Sequence, residues 1–380
     1  MRVLFAPDSF KGTLSSVEVA RALATGWHRA RPGDDFALAP LADGGEGTLD
    51  AIEAAGGWQR RRAATVDPLG RPIEASWLRR DEEAVVELAA ASGLSRLLPG
   101  ERDAIRASTY GTGVLLLAAL DGGARRLTVG IGGSATTDGA RGLIEALGAT
   151  VRGPKPGAPA WTGVEVDLET LDPRLGSVAV QVACDVDNPL LGPRGAAATY
   201  GPQKGASPAD VATLDRRNEA WADALEAASR RQERDTAGAG AAGGVGFGLL
   251  CLSDRFERFG LQAGVSLVMA ATGFDEALGS ADVVVTGEGR IDAQTAFGKT
   301  ALGVARRARA TGIPCYAIGG SVEPDGATAL AEEGAVAVPV HDRPISLETA
   351  IAAGATPLEA AAERLARAIT HGSGPATIPG

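Results

Sequence analysis

The sequence predicts an α/β protein in which a discontinuous parallel-sheet domain is interrupted by a second, mixed α/β domain. Three observations support this fold class. Both ends of the chain alternate short apolar runs with amphipathic segments, which is the order of elements in parallel βα units. The middle of the chain instead carries strand–turn–strand signals, which are typical of antiparallel pairing. The length of 380 residues is enough for two or three domains of ordinary size.

Two βα units open the chain. The predicted strand at 3–6 leads through a loop at 7–13 into a helix, and Ser15 with Glu18 forms a capping box at the start of that helix. An apolar run at 36–41 then leads through the glycine-rich loop 42–48 into a helix that ends by residue 56. This order of strand, loop and helix is typical of a parallel sheet.

The inserted domain is predicted to begin at residue 64. Residues 65–77 carry a strand, a Pro/Gly turn and a second strand, and another apolar run follows at 84–88. The further predicted elements are a helix at 113–120, a strand at 126–130 followed by a helix, a surface loop at 152–163, a strand at 178–183 and a helix at 208–231.

The parallel βα order returns near the end of the chain. Strands are predicted at 283–286, 315–318 and 335–340, with a helix at 303–310, and Thr356 is predicted to cap a last helix. We therefore assign 1–63 and 282–380 to a discontinuous domain and 64–281 to the inserted domain. Because small ligands commonly bind in clefts between domains, we expect the active site there.

The composition argues against several classes of protein. A net charge of −10, from 37 basic and 47 acidic residues, argues against a nucleic-acid partner. The longest apolar runs are far shorter than the roughly 20 residues of a membrane span, and the N-terminus does not resemble a signal peptide. The three cysteines form no CxxC pair, which indicates a reducing compartment. We therefore expect a cytoplasmic protein with no membrane partner.

Acidic side chains recur at the ends of the predicted strands. They are Asp8, Asp43, Glu46, Asp138, Asp185, Asp187, Glu288 and Asp292. Ligands of open α/β sheets bind at the carboxyl ends of the strands. Carboxylates that share a cleft repel each other, and a Mg²⁺ ion bound together with substrate phosphates would remove that repulsion. The alternative explanation is that these residues form turns and cap helices.

Lysines and glycines lie beside several of these acids. Only four basic residues are lysines, and Lys11, Lys204 and Lys299 lie in glycine-rich, acid-containing loops, whereas Lys155 is expected at the surface. A lysine ammonium is a compact charge that suits a phosphate, although chance and a codon bias would give the same counts. The segment 130–134 is predicted to end a strand and start a helix, so that its amides form a phosphate-binding nest.

Other chemistries fit the sequence less well. The Gly-x-Gly-x-x-Ala pattern that starts at Gly130 lacks the acid expected about 20 residues later in a dinucleotide site. The segment before Thr300 has Ala293 where a Walker A loop needs glycine. None of the three histidines lies in a Ser-His-Asp or zinc-ligand arrangement, so an aspartate is the expected base. Together the residues indicate a Mg²⁺-dependent kinase or a related phosphate-handling enzyme.

Six long motifs follow one another along nearly the whole chain. They are Ala6-Pro-Asp-Ser-Phe-Lys-Gly12, Ala42-Asp-Gly-Gly-Glu-Gly-Thr48, Gly130-Ile-Gly-Gly-Ser-Ala-Thr136 with Asp138-Gly139, Asp187-Asn-Pro-Leu190, Gly201-Pro-Gln-Lys-Gly-Ala206, and Gly287-Glu-Gly with Asp292-x-Gln-Thr295 and Gly298-Lys299. In this order they resemble the bacterial glycerate kinases of the class I type. Thr137, Ala140 and Ala301 stand where Asn, Gly and Pro are expected, and none of these departures removes a charged or ligand-type group.

The resemblance implies a Rossmann-like domain with a second α/β domain inserted, and ATP- and Mg²⁺-dependent phosphorylation of D-glycerate in the cytoplasm, with 2-phosphoglycerate as the favoured product. On this basis we assign hypothetical roles. The catalytic residues are Asp187 or Asp185 as the base and Lys11. The substrate-binding residues are Asp8, Ser9, Asp43, Gly44, Gly45, Glu288, Asp292 and Lys299. The ATP phosphates are assigned to Gly132, Gly133, Ser134, Thr136 and Lys204, and the Mg²⁺ ligands to Asp138, Asp187 and Glu288.

Three other functions stay open at this point. A non-catalytic sensor of a phosphorylated metabolite would need the glycine nests but not the carboxylates. A kinase of another small hydroxy acid would share every motif, and a nucleotide-dependent dehydrogenase would bind NADH. The expected assembly is a monomer or a homodimer.

Overall fold

The computed structural model describes residues 1–155, 157–158, 160–293, 295, 300–341, 343 and 345–369. The chain divides into two compact units. Unit 1 comprises residues 1–43 and 50–56 together with the chain from 265 onward, and unit 2 comprises residues 44–49 and 57–264. Strands β1–β13 and helices α1–α14 are numbered in chain order across both units.

Unit 1 is built on a five-stranded, fully parallel sheet in the order β13-β12-β11-β1-β2. The strands are β1 (Arg2–Phe5), β2 (Asp35–Leu38), β11 (Val283–Ile291), β12 (Cys315–Val322) and β13 (Ala335–Pro339). The helices are α1 (Ser16–Ala30), α2 (Thr48–Ala54), α9 (Gly264–Thr272), α10 (Phe274–Gly279), α11 (Thr300–Thr311), α12 (Pro324–Glu332), α13 (Leu347–Ala353) and α14 (Thr356–Ala368). From β1 the chain continues to β2 on one side of the sheet, and from β11 it continues to β12 on the other side. The strand order therefore reverses between the neighbouring strands β1 and β11. Such a reversal is where open α/β sheets bind ligands.

Helices α1 and α14 pack closely over this sheet. A Cβ at Gly26 would lie 2.0 Å from the carbonyl oxygen of Glu359, so only glycine allows the two helices to approach this far. Trp27 of α1 is fully buried and meets the ring of Phe5 edge to face. The predicted capping box of α1 is confirmed, because the amide of Glu18 donates to Ser15 and the amide of Ser15 donates to the Glu18 carboxylate.

Unit 2 contains a six-stranded mixed sheet in the order β10-β9-β6-β5-β4-β3 and an antiparallel pair, β7 with β8. The strands are β3 (Gln59–Val66), β4 (Pro72–Arg80), β5 (Glu83–Glu87), β6 (Arg126–Gly130), β7 (Thr150–Arg152), β8 (Glu165–Asp167), β9 (Ala179–Ala183) and β10 (Arg258–Gln262). The α-helices are α3 (Ala89–Ser92), α4 (Tyr110–Asp121), α5 (Arg141–Ala146), α6 (Ala196–Tyr200), α7 (Pro208–Ser229) and α8 (Ala241–Cys251). Strands β3, β4 and β5 pair antiparallel and β5, β6, β9 and β10 pair parallel. The predicted fold class, a parallel-sheet domain with an inserted mixed α/β domain, is therefore confirmed.

The unit boundaries differ from the domain boundaries expected from the sequence. Strand β3 begins at Gln59 and pairs along its whole length with β4, so residues from 57 onward belong to the inserted unit rather than only those from 64. At the other boundary, unit 1 resumes at Val265 with α9 instead of at residue 282. The loop 44–49 also belongs to unit 2.

Two local predictions are wrong. Thr356 is not a helix cap, because it already lies inside α14 and no side chain caps that helix at Ala355. The segment 130–134 does not lead directly into a helix. Helix α5 begins only at Arg141, so its N-terminus does not extend the amide nest. Among the described residues, no helix is both long enough and apolar enough to cross a membrane.

Candidate active site

Unit 1 has a cavity of about 790 Å³ at the carboxyl ends of its strands. The polar residues that line it are Asp8, Ser9, Lys11, Thr13, Asp43, Glu288, Arg290, Ser321, Glu323, His341 and Arg343, and the apolar ones include Phe10, Val322, Val340 and Leu358. The loop after β1 enters the cavity beside β11, because the amide of Asp8 donates to the carbonyl of Gly287 at 2.8 Å. The cavity therefore lies at the reversal of strand order.

Asp8 is a buried carboxylate with partners on both of its oxygens. Its Oδ1 accepts from the amide of Ser9 at 2.6 Å, and its Oδ2 accepts from the hydroxyl of Thr300 at 2.6 Å. Burial and then the negative charge of Asp43 raise the pKa of Asp8, while Thr300, the Ser9 amide and Lys11 act in the opposite direction. Asp8 is thus a carboxylate whose charge depends on the hydrogen bonds around it.

Lys11 provides positive charge among these carboxylates. Its Nζ lies 3.1 Å from Asp43 Oδ2, and 74% of its side chain is exposed. Partial burial lowers the pKa of Lys11, but the charges of Asp43, Asp8 and Glu288 outweigh it, so the net shift is upward and the ammonium stays charged at neutral pH. An exposed ammonium beside three carboxylates can meet an anionic ligand without first losing a buried partner.

Glu288 and Asp292 lie at the end of β11. Glu288 is buried, and its Oε1 accepts from the hydroxyl of Thr295 at 3.0 Å. Thr295 in turn accepts from the amide of Asp292 at 3.2 Å, which closes the turn that follows the strand. The structure therefore brings Asp8, Lys11, Asp43 and Glu288 to one cavity, as the sequence predicts for residues at the ends of parallel strands.

In unit 2, two glycine segments pack against each other. The amide of Gly132 donates to the carbonyl of Gly44 at 3.2 Å, and a Cβ at Gly132 would lie 2.6 Å from the Cα of Gly45. Gly133 has a φ of +72°, a left-handed conformation that favours glycine. The buried carboxylate of Glu87 accepts from the amides of loop 44–49. Sequence reasoning did not select Glu87, which lies within the predicted apolar run 84–88.

Lys204 lies inside unit 2 and not at its surface. The lysine is 2% exposed, and its ammonium donates to Ser134 Oγ at 2.8 Å and to the carbonyl of Thr136 at 2.6 Å. Burial lowers the pKa of Lys204 to about 7, and Asp138 only partly offsets this effect. Through these two hydrogen bonds, Lys204 holds the 130–136 segment in place from the interior of unit 2.

Asp138 is also buried within unit 2. Its Oδ2 accepts from the amide of Thr109 at 2.8 Å, from the hydroxyl of Thr109 at 2.9 Å and from the amide of Gly142 at 3.2 Å. Burial raises its pKa in spite of these bonds. Beside it, Ala140 has a φ of +65°, which gives the physical reason why glycine is expected at that position.

Asp185 and Asp187 lie on the exposed loop after β9. Asp185 Oδ1 accepts from the amide of Gly264 at 2.9 Å, and the Asp187 side chain, 79% exposed, faces Arg194 at 3.4 Å. Cys184 precedes them, and burial together with the charge of Asp185 raises the pKa of its thiol, so it is a poor nucleophile. Exposed ion pairs of this kind are weak, so the bond to Arg194 costs little to break when a ligand binds Asp187.

Two residues that the sequence singled out, Gly298 and Lys299, lie outside the described residues. Conversely, sequence reasoning assigned no role to Thr295 or Thr300, which bond directly to two carboxylates of the cavity. Thr300 is separated from Asp8 by 292 positions, so no local pattern connects them.

The cavity carboxylates have the chemistry that would suit a Mg²⁺ ion bound together with phosphate oxygens. Among the described residues, no group of three or more His, Cys, Asp or Glu side chains is arranged to hold a metal by itself. Mg²⁺ commonly takes only one or two protein carboxylates and completes its shell with water and phosphate oxygens. The mutual repulsion of Asp8 and Asp43, which helps to raise the pKa of Asp8, is the repulsion that such an ion would relieve.

Known proteins resemble this chain over nearly its whole length. A family model described as the glycerate kinase family matches residues 3–370. A protein named glycerate kinase from Bacillus subtilis (strain 168) is 42% identical over 375 residues, covering 96% of this chain and 94% of its own. A protein named glycerate 2-kinase from Escherichia coli (strain K12) is 40% identical over 333 residues, covering 86% of each chain. A crystal structure from Salmonella typhimurium LT2 that carries the name glycerate kinase 2 has a TM-score of 0.80 and 37% identity, covering 97% of this chain and 98% of its own.

Proposed function

The chain belongs to the glycerate kinase family, and from that premise we propose that it transfers the γ-phosphoryl group of Mg-ATP to D-glycerate. The observation that carries the proposal is the cavity of unit 1, where Lys11, Asp8, Asp43 and Glu288 meet at the reversal of strand order. Phosphoryl transfer depends on positioning and on charge neutralisation more than on covalent chemistry. Lys11 can neutralise negative charge on the substrate, and the carboxylates can position its hydroxyl groups.

Lys11 holds the negative charge of the substrate, either the carboxylate of glycerate or the phosphoryl group in transfer. Its exposed ammonium is available to an anion, and its raised pKa keeps it protonated. Asp8 and Asp43 accept hydrogen bonds from the hydroxyl groups of glycerate, because ionised carboxylates are strong acceptors. Ser9 and the loop 8–13 set the position of these groups.

The 130–136 segment of unit 2 binds the phosphates of ATP. Gly133 has no Cβ and a φ of +72°, so a phosphate oxygen can approach its amide closely, whereas the amide of Gly132 donates to Gly44 and ties the segment to loop 44–49. Ser134 adds a hydroxyl, and Lys204 holds this hydroxyl and the Thr136 carbonyl in place from the interior. We assign Lys204 to this supporting role and not to direct phosphate contact, since only 2% of it is exposed.

A Mg²⁺ ion bound with ATP neutralises the charge of the phosphates. Glu288 or Asp187 would supply a carboxylate oxygen for it, whereas Asp138 is buried within unit 2 and accepts three hydrogen bonds on one oxygen. Asp187 or Asp185 accepts the proton from the attacking hydroxyl of glycerate as the new P–O bond forms. The C2 hydroxyl is the favoured nucleophile, which gives 2-phosphoglycerate and ADP. We place the enzyme in the cytoplasm, as a monomer or a homodimer.

The proposal is tested by following ADP release from Mg-ATP with purified protein. D-glycerate should support turnover, while L-glycerate, glycerol and buffer alone serve as controls for stereochemistry, for the carboxylate and for ATP hydrolysis. Turnover with D-glycerate well above all three controls is the expected result. ATP binding without turnover on D-glycerate would refute the proposal and would point to another hydroxy acid.

A further inference from the structure

Two buried threonines of unit 1 each bond to one carboxylate of the cavity. Thr300 is the first residue of α11, and Thr295 lies in the turn after β11. Both are 0% exposed. From the distances and burial, we propose that Thr300 and Thr295 are positioning residues for phosphoryl transfer, because they orient the carboxylates of Asp8 and Glu288. This inference rests on the proposed kinase function.

The Thr300–Asp8 bond has the geometry of a charge-assisted hydrogen bond. The Oγ1–Oδ2 distance is 2.6 Å, which is the range of hydroxyl groups that donate to an ionised carboxylate. The Ser9 amide and hydroxyl donate to the other oxygen of Asp8, at 2.6 and 3.3 Å. With donors on both oxygens, the plane of the carboxylate is fixed. Oδ2, which accepts from Thr300, has a second lone pair for a ligand.

Removing one of these donors leaves a buried carboxylate without a partner on one side. A buried carboxylate that loses a donor rotates toward another donor or takes up a proton, and either change misplaces the acceptor for the substrate hydroxyl. Lys11 does not replace Thr300, because its Nζ bonds to Asp43. The orientation of Asp8 therefore depends on Thr300 and the Ser9 loop.

Thr295 also donates to a buried carboxylate, that of Glu288, and it receives a bond itself. Its hydroxyl accepts from the amide of Asp292 at 3.2 Å and donates to Glu288 Oε1 at 3.0 Å. A hydroxyl has one proton, so accepting from the amide leaves that proton for the carboxylate. The direction of the bond to Glu288 is thus set by the backbone.

The test compares Thr300→Val and Thr295→Val with the serine variants Thr300→Ser and Thr295→Ser. Valine has nearly the volume of threonine but no donor, whereas serine keeps the donor. The matched control is Thr65→Val in unit 2, where a buried threonine donates only to the carbonyl of Gly111 at 2.9 Å. The measurements are kcat, the KM values for D-glycerate and Mg-ATP, the Kd of D-glycerate by calorimetry without nucleotide, and thermal unfolding.

We expect kcat/KM for D-glycerate to fall by about 10- to 100-fold in each valine variant, since hydrogen bonds to charged groups have this effect on an equilibrium. The KM for Mg-ATP should change less than about twofold, and the Kd of D-glycerate should rise in Thr300→Val. The serine variants should regain activity to within about threefold of the parent, and Thr65→Val should lower only thermal stability.

Three outcomes would overturn the inference: a fully active Thr300→Val, a serine variant as impaired as its valine counterpart, or a fall in thermal stability with unchanged kinetic constants. The last outcome would make the threonines purely structural. If the parent protein does not phosphorylate D-glycerate, the proposed function fails instead, and the calorimetric Kd still tests whether Thr300 orients Asp8 for this ligand.

Discussion

Replacing Lys11 with alanine should impair catalysis and leave stability nearly unchanged. The ion pair between Lys11 and Asp43 has an N–O distance of 3.1 Å, but the two side chains are 74% and 31% exposed. Exposed ion pairs contribute about 0–1 kcal/mol to stability. The unfolding midpoint of Lys11→Ala should therefore lie within about 4 °C of that of the parent protein.

The effect on the rate should be far larger. Removing one preorganised donor from a transition state commonly lowers kcat by about 10²–10³, which is roughly 2.7–4 kcal/mol. The variant also removes one positive charge that acts on Asp8, Asp43 and Glu288, so the cavity becomes less favourable for an anionic substrate. We expect kcat to fall by at least about 100-fold and the KM for D-glycerate to rise.

The assay is ADP release under saturating Mg-ATP, with thermal unfolding measured on the same samples. Lys155→Ala is the matched control, because Lys155 is an exposed lysine in unit 2. The control should leave kcat, KM and the unfolding midpoint unchanged. A near-normal kcat in Lys11→Ala, or a loss of activity that follows a loss of folded protein, would refute the role given to Lys11.

Three further predictions concern stability, pH and the metal. In a urea titration, Gly243→Ala should lower the free energy of unfolding by about 3 kcal/mol or more, since its φ is +74° and a Cβ would lie 1.9 Å from the Thr136 carbonyl oxygen. Gly163→Ala is the control: its φ is +68° and no atom lies within 4 Å of its Cβ position, so it should lower that free energy by only about 1–2 kcal/mol. The pKa of Lys204 is about 7 in the folded protein, so between pH 7 and 9 the folded chain loses this proton while the unfolded chain keeps it. The free energy of unfolding of the parent, relative to that of Lys204→Met, should therefore rise by about 2 kcal/mol over this range. A difference that does not change with pH would contradict the lowered pKa. Chelation with EDTA should stop turnover and added Mg²⁺ should restore it, and Glu288→Gln should raise the half-saturating Mg²⁺ concentration about tenfold or more; turnover that persists in EDTA would exclude the metal.

The local elements were largely predictable from the sequence. Strand β6 has the predicted limits, and the capping box of α1 is present, because both depend on residues that are close together along the chain. Strand β11 continues to Ile291, well past the predicted end at 286, because pairing with β12 extends it through its glycines. The predicted cap at Thr356 is wrong for a different reason: a threonine followed by proline fits both the cap position and the first turn of a helix.

The site was predictable in composition but not in its bonds. Acids at strand ends and lysines in glycine-rich loops pointed to Asp8, Lys11, Asp43 and Glu288, which do share a cavity. The sequence did not reveal that Lys204 is buried, because the same glycine-rich loop could have presented it to solvent. It also gave no signal for Thr300, whose partner lies at the other end of the chain. Such pairs arise only when distant strands meet in the sheet.

The most direct test of the central claim is the identity of the product. Purified protein is incubated with Mg-ATP and D-glycerate, and the phosphorus NMR spectrum of the mixture is compared with authentic 2- and 3-phosphoglycerate. We predict that 2-phosphoglycerate forms in step with ADP and that L-glycerate gives no signal above background. Absence of any phosphoglycerate from folded, ATP-binding protein would contradict the claim that this site phosphorylates D-glycerate, and 3-phosphoglycerate alone would contradict the choice of the C2 hydroxyl.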